Sequence, residues 1–145
     1  MEGERKKILV VEDELVNRKI LHKILSQEYE VLEAENGQVG LTLLAQNPRV
    51  AAVLLDIVMP VMNGYAFLEA VRGTRYANLP ILVMTGEQDP ESEKKALESG
   101  AWDFVTKPYH ASVLCSRLKN AIARSEVALY ERMQYISEHD ALTGL

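Results

Sequence analysis

Three stretches of the chain are unbroken apolar runs of strand length: Ile8-Leu9-Val10-Val11, Ala51-Ala52-Val53-Leu54-Leu55 and Ile81-Leu82-Val83-Met84. Strands apolar on both faces belong inside a parallel sheet that is covered on both sides. Two further candidates, Glu30-Val31-Leu32-Glu33-Ala34 and Trp102-Asp103-Phe104-Val105, alternate instead, as half-covered edge strands do. Between the runs, apolar residues recur at helical spacing. Val16, Ile20 and Ile24, with Leu21 and Leu25, predict one face of a first helix. Leu41, Leu44 and Ala45 predict a second, after the turn residues Asn36-Gly37, and Phe67, Leu68 and Val71 a third, just past Asn63-Gly64. Asp89-Pro90 reads as the cap and first residue of a fourth, and Gly100 as its stop. That helix offers only Ala96 and Leu97 to a core and is expected to be the most loosely held. A fifth begins after Pro108 and meets no breaker until Gly144.

Strand and helix thus alternate five times, which predicts an α/β fold with a doubly wound parallel sheet. Ligands in such folds bind beyond the carboxyl ends of the strands, where strand order reverses. The first run ends in Glu12-Asp13-Glu14, the third strand in Asp56, the fourth in Thr85-Gly86 and the fifth in Thr106-Lys107-Pro108. If the first and third strands are neighbours, Glu12, Asp13 and Asp56 converge in one shallow pocket. Three close carboxylates need a counter-charge, and Mg²⁺ is the usual hard cation where a phosphate also binds. Lys107 adds a point charge for a phosphoryl oxygen, Thr85 a hydroxyl, and Gly86 leaves space beside it. Taken singly, each feature reads as a helix cap, a turn or a structural threonine. Together, one per strand end, they make a site for an acyl phosphate.

Composition narrows the setting. Lys and Arg number 16 against 21 Asp and Glu, a net charge of −5, which argues against nucleic-acid or anionic-membrane partners. The single cysteine, Cys115, cannot form an internal disulfide, and no apolar run reaches the roughly 18–20 residues of a membrane span. The apolar run behind Arg5, Lys6 and Lys7 is too short for a signal peptide, so a cytoplasmic location is expected. Cys115, His22, His110 and His139 show no ligand spacing and read as ordinary helix residues.

The residues Val11-Glu12-Asp13, Asp56-Ile57-Val58-Met59-Pro60-Val61-Met62-Asn63-Gly64, Met84-Thr85-Gly86 and Lys107-Pro108 resemble the receiver domain of two-component response regulators, over about Lys6 to Ala123. The Asp-x-x-Met-Pro-x-Met-x-Gly stretch is highly specific. The resemblance implies a flavodoxin-like (βα)₅ sheet of order 2-1-3-4-5. It also implies that Asp56 takes a phosphoryl group from a sensor histidine kinase or phosphotransfer protein. Asp13 and Asp56 would bind Mg²⁺, with Glu12 and the Val58 backbone carbonyl as further ligands. Lys107 would pair with Asp56 and then with the phosphoryl group, and the Lys107–Pro108 peptide would be cis. Thr85 would move toward the phosphoryl group and Phe104, where many relatives carry Tyr, would swing into the space left. Val58 and Glu87 would tune the lifetime of the phosphoryl group. An apolar Val58 cannot orient water, so self-dephosphorylation should be slower than in Val58→Asn.

Beyond Ala123 the chain continues helically. Leu118, Ile122, Leu129, Met133 and Ile136 fall within a stripe about 60° wide, which predicts a coiled-coil-like pairing seam. Asp140-Ala141-Leu142-Thr143-Gly144-Leu145 resembles the opening of diguanylate cyclase domains of the GGDEF type. The expected organisation is a receiver over 1–124, a helical linker over 125–138, and the first residues of a truncated GGDEF-type domain over 139–145. A homodimer through the fourth helix, fifth strand, fifth helix and C-terminal helix would then control a cyclase that this fragment does not itself contain. Competing readings are a haloacid-dehalogenase-type phosphatase, which needs an Asp where Val58 stands, and a pseudo-receiver or free-standing interaction module, or a regulator with a different or degenerate output domain.

Overall fold

Every apolar run becomes a strand. In chain order these are β1 (Lys7–Val11), β2 (Glu30–Ala34), β3 (Val50–Asp56), β4 (Ile81–Thr85) and β5 (Asp103–Thr106), all parallel and ordered β2-β1-β3-β4-β5. The computed structural model describes residues 5–57, 64–72, 79–85, 90–107 and 110–142; the side chains of residues 72, 92 and 128–142 lie outside that description. The helices are α1 (Leu15–Leu25), α2 (Gly37–Gln46), α3 (Gly64–Arg72), α4 (Pro90–Glu98) and α5 (Ala111–Leu142). This is the flavodoxin-like α/β fold.

Successive strand residues face opposite sides, so each run supplies two cores. Leu9, Val11, Val53, Leu55 and Val83 pack with Leu44 of α2, Phe67, Leu68 and Val71 of α3, and Ala96 of α4. Ile8, Val10, Ala52, Leu54, Leu82, Met84 and Val105 pack with Leu21 and Leu25 of α1 and with Leu114, Leu118, Ala121 and Ile122 of α5. β4 is buried throughout, whereas β2 and β5, the two edges, are only partly covered.

Local chemistry sets the helix ends. Asn36 caps α2 by accepting the Val39 N–H at 2.9 Å. α4 stops in a left-handed turn, with Gly100 at φ 115°, the Gly100 N–H reaching Leu97 O and the Ala101 N–H reaching Ala96 O at 3.0 Å. α4 buries Ala96 but leaves Leu97, the other apolar residue expected to face the core, 44% exposed.

Two sequence expectations need correction. On α1, only Leu21 and Leu25 are buried; Val16 is 70% and Ile20 47% exposed. These two lie about 140° and 100° around the helix from Leu21, outside the face that the sheet covers. On α5, Leu118 and Ile122 are buried in the domain's own core, so they are not free to form an intermolecular seam. A stripe of constant angle does not reveal that its first two members are already packed on the sheet. The side chains of Leu129, Met133 and Ile136 lie outside the described residues, but the helix runs unbroken through all three positions.

Candidate functional site

The register of β1 on β3 sets Val11 beside Leu55, so the residues that follow, Glu12 and Asp56, leave the sheet side by side. The Glu12 N–H donates to Ala34 O at 3.0 Å, extending the β1–β2 ladder by one residue and fixing where the loop begins. One carboxylate oxygen each from Glu12, Asp13 and Asp56 lies within 4.8 Å of the others. Helix capping does not explain this cluster: the cap position of α1 is Glu14, and its side chain makes no cap bond.

Asp56 and Glu12 are buried, at 4% and 1% exposure. Lys107, just past β5, is held by its N–H donating to Thr85 O at 2.9 Å. Its ammonium lies 3.1 Å from Asp56 Oδ1 and 4.0 Å from Glu12 Oε1. Glu12 Oε2 accepts the Glu14 N–H at 3.2 Å, but Oε1 is buried with no hydrogen bond among the described residues. Burial, and then the Asp56 carboxylate, push the Glu12 carboxyl up to about 7 against the weaker opposing pull of the Glu14 N–H and Lys107. One ammonium facing three carboxylates leaves an excess of negative charge. The donor set is all oxygen and one of its buried atoms is unsatisfied, which fits a hard divalent cation.

Thr85 is the last residue of β4 and is wholly buried, and its Oγ1 likewise has no partner among the described residues. Phe104 is cross-strand to Val83 and packs against the α2–α3–α4 core. From α5, Arg117 Nη1 donates to Phe104 O at 2.9 Å and to Asp103 Oδ1 at 3.2 Å, with its guanidinium 5.9 Å from the Phe104 ring. Thr106 donates to Glu93 of α4 at 3.2 Å. The strand that carries the switch candidate Phe104 is thus bonded to both flanking helices, to α5 through Arg117 and to α4 through Glu93. Val58, Gly86, Glu87, Pro108 with its peptide bond, and residues 59–63 of the Asp-Met-Pro stretch lie outside the described residues.

Three contributions escape the sequence. A Cβ on Gly64 would sit 2.7 Å from Ile57 Cα and 2.9 Å from Asp56 O, so only glycine lets α3 start against the Asp56 backbone. Arg18 on α1 reaches back to the acidic loop, its Nη1 donating to Glu12 O at 2.9 Å and approaching Asp13 O at 3.5 Å. Its Nε lies 3.2 Å from Glu33 Oε1, and Lys19 and His22 meet Glu33 Oε2 at 3.2 and 2.6 Å. Partial burial pushes the Glu33 carboxyl up, but the bonds from Lys19, His22 and Arg18 outweigh it and hold it below its usual value. No local signal links Arg18 to Glu33; strand pairing and helix packing bring them together. Cys115 is half-buried, and burial with the Glu28 charge pushes its thiol up, away from the reactive range.

Among the described residues, no helix is long and apolar enough to cross a membrane. The family model for the response regulator receiver domain matches residues 8–119. A Vibrio cholerae protein named "Probable cyclic di-GMP phosphodiesterase" is 36% identical over 132 residues, covering 89% of this chain and 30% of its own length. The rice two-component response regulator ORR5 is 34% identical over 116 residues, 77% of this chain and 87% of that protein. The crystal structure of Vibrio cholerae chemotaxis protein CheY4 superposes with a TM-score of 0.76 at 31% identity, over 81% of this chain and 99% of that one. The chain spans about half or less of several other curated relatives that it matches. With the strand order, the acidic strand ends and the opposed lysine already in place, the match fixes the assignment: the chain belongs to the response regulator receiver domain family.

Proposed function

We propose that this receiver domain accepts a phosphoryl group on Asp56 from a histidine kinase or phosphotransfer protein and relays the change through β5 and α5. The observation that carries the reading is Asp56 itself. It is a buried carboxylate at a strand end, with two further carboxylates beside it and the Lys107 ammonium at 3.1 Å. An Asp56 carboxylate oxygen attacks phosphorus, the phosphorus–nitrogen bond of phosphohistidine breaks, and the imidazole leaves with its electron pair and takes up a proton. Phosphoryl transfer of this kind has a loose, in-line transition state, so positioning and charge neutralisation carry the catalysis. Glu12, Asp13 and Asp56 would hold Mg²⁺, with the Val58 carbonyl as the further ligand that the family resemblance implies, and the ion would supply neutralisation of the phosphoryl oxygens. Lys107 supplies the remaining positive charge, and the unsatisfied Thr85 hydroxyl donates to a phosphoryl oxygen. Movement of Thr85 then frees space beside Phe104, and Arg117 and Glu93 pass the shift of β5 to α5 and α4. Val58 and Glu87 set how long the phosphoryl group lasts.

The output reading has separate support. Leu97 of α4 and Val113 of α5 are 44% and 42% exposed, apolar positions on the two helices that flank β5. They favour pairing of two chains through α4, β5 and α5, continued along the distal part of α5. The Asp140–Leu145 stretch favours an attached GGDEF-type cyclase, and the Vibrio relative's name concerns the same messenger, cyclic di-GMP. Sedimentation velocity with Mg²⁺ and beryllofluoride, a phosphoryl mimic, tests both halves, with ¹⁹F NMR reporting the adduct. The expected result is an adduct on the wild type, none on Asp56→Asn, and a shift to dimer only with the adduct. No adduct on the wild type would contradict the acceptor reading; an adduct without a shift would contradict the pairing.

A further inference from the structure

The loop after β1 must hold two carboxylates toward a third against their mutual repulsion. Past the Glu12 N–H, the strand ladder no longer constrains it, and the Glu14 N–H bond is internal to the loop. Among the described residues, the side chain bonded to the Glu12 and Asp13 carbonyls is that of Arg18. Its other anchor is Glu33, fixed by the pairing of Glu33 with Val10 across β1–β2. Arg18 and Glu33 are 13% and 17% exposed at their side chains, so water competes little for either partner.

We propose that Arg18 is a positioning residue for the divalent cation: it clamps the Glu12–Asp13 backbone to Glu33 of β2 and so keeps both carboxylates directed toward Asp56. The inference rests on the reading of the acid cluster as a cation site. The guanidinium suits this task because its planar fork bonds a carboxylate through Nε and a carbonyl through Nη1 at once. A lysine ammonium presents one donor atom where the guanidinium presents two in a fixed plane. Lys19 and His22 meet the same Glu33 from its other oxygen, leaving Oε1 to Arg18.

The sign of the effect separates the clamp from simple charge. Removing a cation beside an acidic site strengthens the local negative potential and, by Coulomb attraction alone, tightens Mg²⁺ binding. A lost clamp does the opposite, because the carboxylates must then be ordered when the cation binds. Outer-shell partners of metal ligands typically matter by ten-fold or more in affinity.

The test is an NMR titration of the whole chain with MgCl₂, following backbone amides of the folded protein only, so that lower stability does not register as weaker binding. Wild type, Arg18→Ala and Arg18→Lys are compared, and thermal unfolding without cation is measured in parallel. The expected result is affinity weakened about ten-fold in Arg18→Ala, and weakened in Arg18→Lys although its charge is kept. Arg18→Lys retains the aliphatic stem and carries the test if Arg18→Ala does not fold. Unchanged or tighter binding in the variants overturns the clamp and leaves the cation site standing. A wild type that does not bind Mg²⁺ overturns the cation site, and the clamp with it.

Discussion

Glu12 is where folding and function conflict most directly. Its carboxyl is buried beside Asp56, which pushes it up to about 7 from an ordinary value of 4.5. Between those limits the unfolded chain has released this proton while the cation-free folded chain still holds it. The folded state therefore binds more protons there, and stability falls as pH rises from 4.5 to about 7. Outside that window Glu12 contributes no slope. Urea unfolding in the presence of a chelator should show this fall in the wild type and a flatter profile in Glu12→Gln; equal slopes would contradict the assignment. A divalent cation competes with the same proton, so its affinity should climb over the same interval. At Gly64 the constraint is steric. An added Cβ at 2.9 Å from Asp56 O forces the backbone apart, so Gly64→Ala should cost ~1–3 kcal/mol in urea unfolding. It should also slow phosphoryl uptake, because the displaced backbone is that of the proposed acceptor, Asp56.

The elements were legible where burial is two-sided. β1, β3 and β4 announce themselves as continuous apolar runs because helices cover both faces, and the residue that ends each run is the one delivered to the site. That is why Glu12, Asp56 and Thr85 could be placed from sequence, whereas Lys107 is placed by the alternating edge strand β5. Arg18, Glu33 and the close approach of Gly64 could not, since each acts on a partner that only the fold brings near. Helix faces were less legible. The α1 stripe is wider than the sheet can cover, which leaves Val16 and Ile20 in solvent. On α5 the first two members of the expected seam, Leu118 and Ile122, are core instead, and a stripe of constant angle gives no sign of where packing on the sheet stops. Mutation separates the two segments. Leu118→Ala should lower stability by about 2–5 kcal/mol in chemical unfolding, as a cavity in the core does. Leu129→Ala should leave stability within about 0.5 kcal/mol, as surface changes do, and reduce only pairing in sedimentation. A comparable loss of stability in both would place Leu129 on its own domain. At the start of α2, Asn36→Ala should cost about 1 kcal/mol through loss of the Val39 cap.

At the scale of the molecule, the sheet is a frame that gathers charge at one end and holds the start of α5 on one face. α5 is a single helix of 32 residues, about 48 Å long, of which the first third is bolted to the sheet. A small shift of β5, passed on by Arg117, would be carried along that length. Cutting the chain after Val127 should leave Mg²⁺ binding and the unfolding midpoint nearly unchanged, because Ile122 is the last core residue of α5 among the described side chains, while pairing with beryllofluoride weakens or disappears. The proposed signalling role depends on Asp56 accepting a phosphoryl group with the help of a divalent cation. The most direct measurement is the intact mass of the chain after incubation with acetyl phosphate. With Mg²⁺ the mass should rise by one phosphoryl group, released again by hydroxylamine. It should not rise with a chelator, or in Asp56→Asn. A wild type that gains no mass with Mg²⁺, or an Asp56→Asn variant that gains as much, would contradict the account.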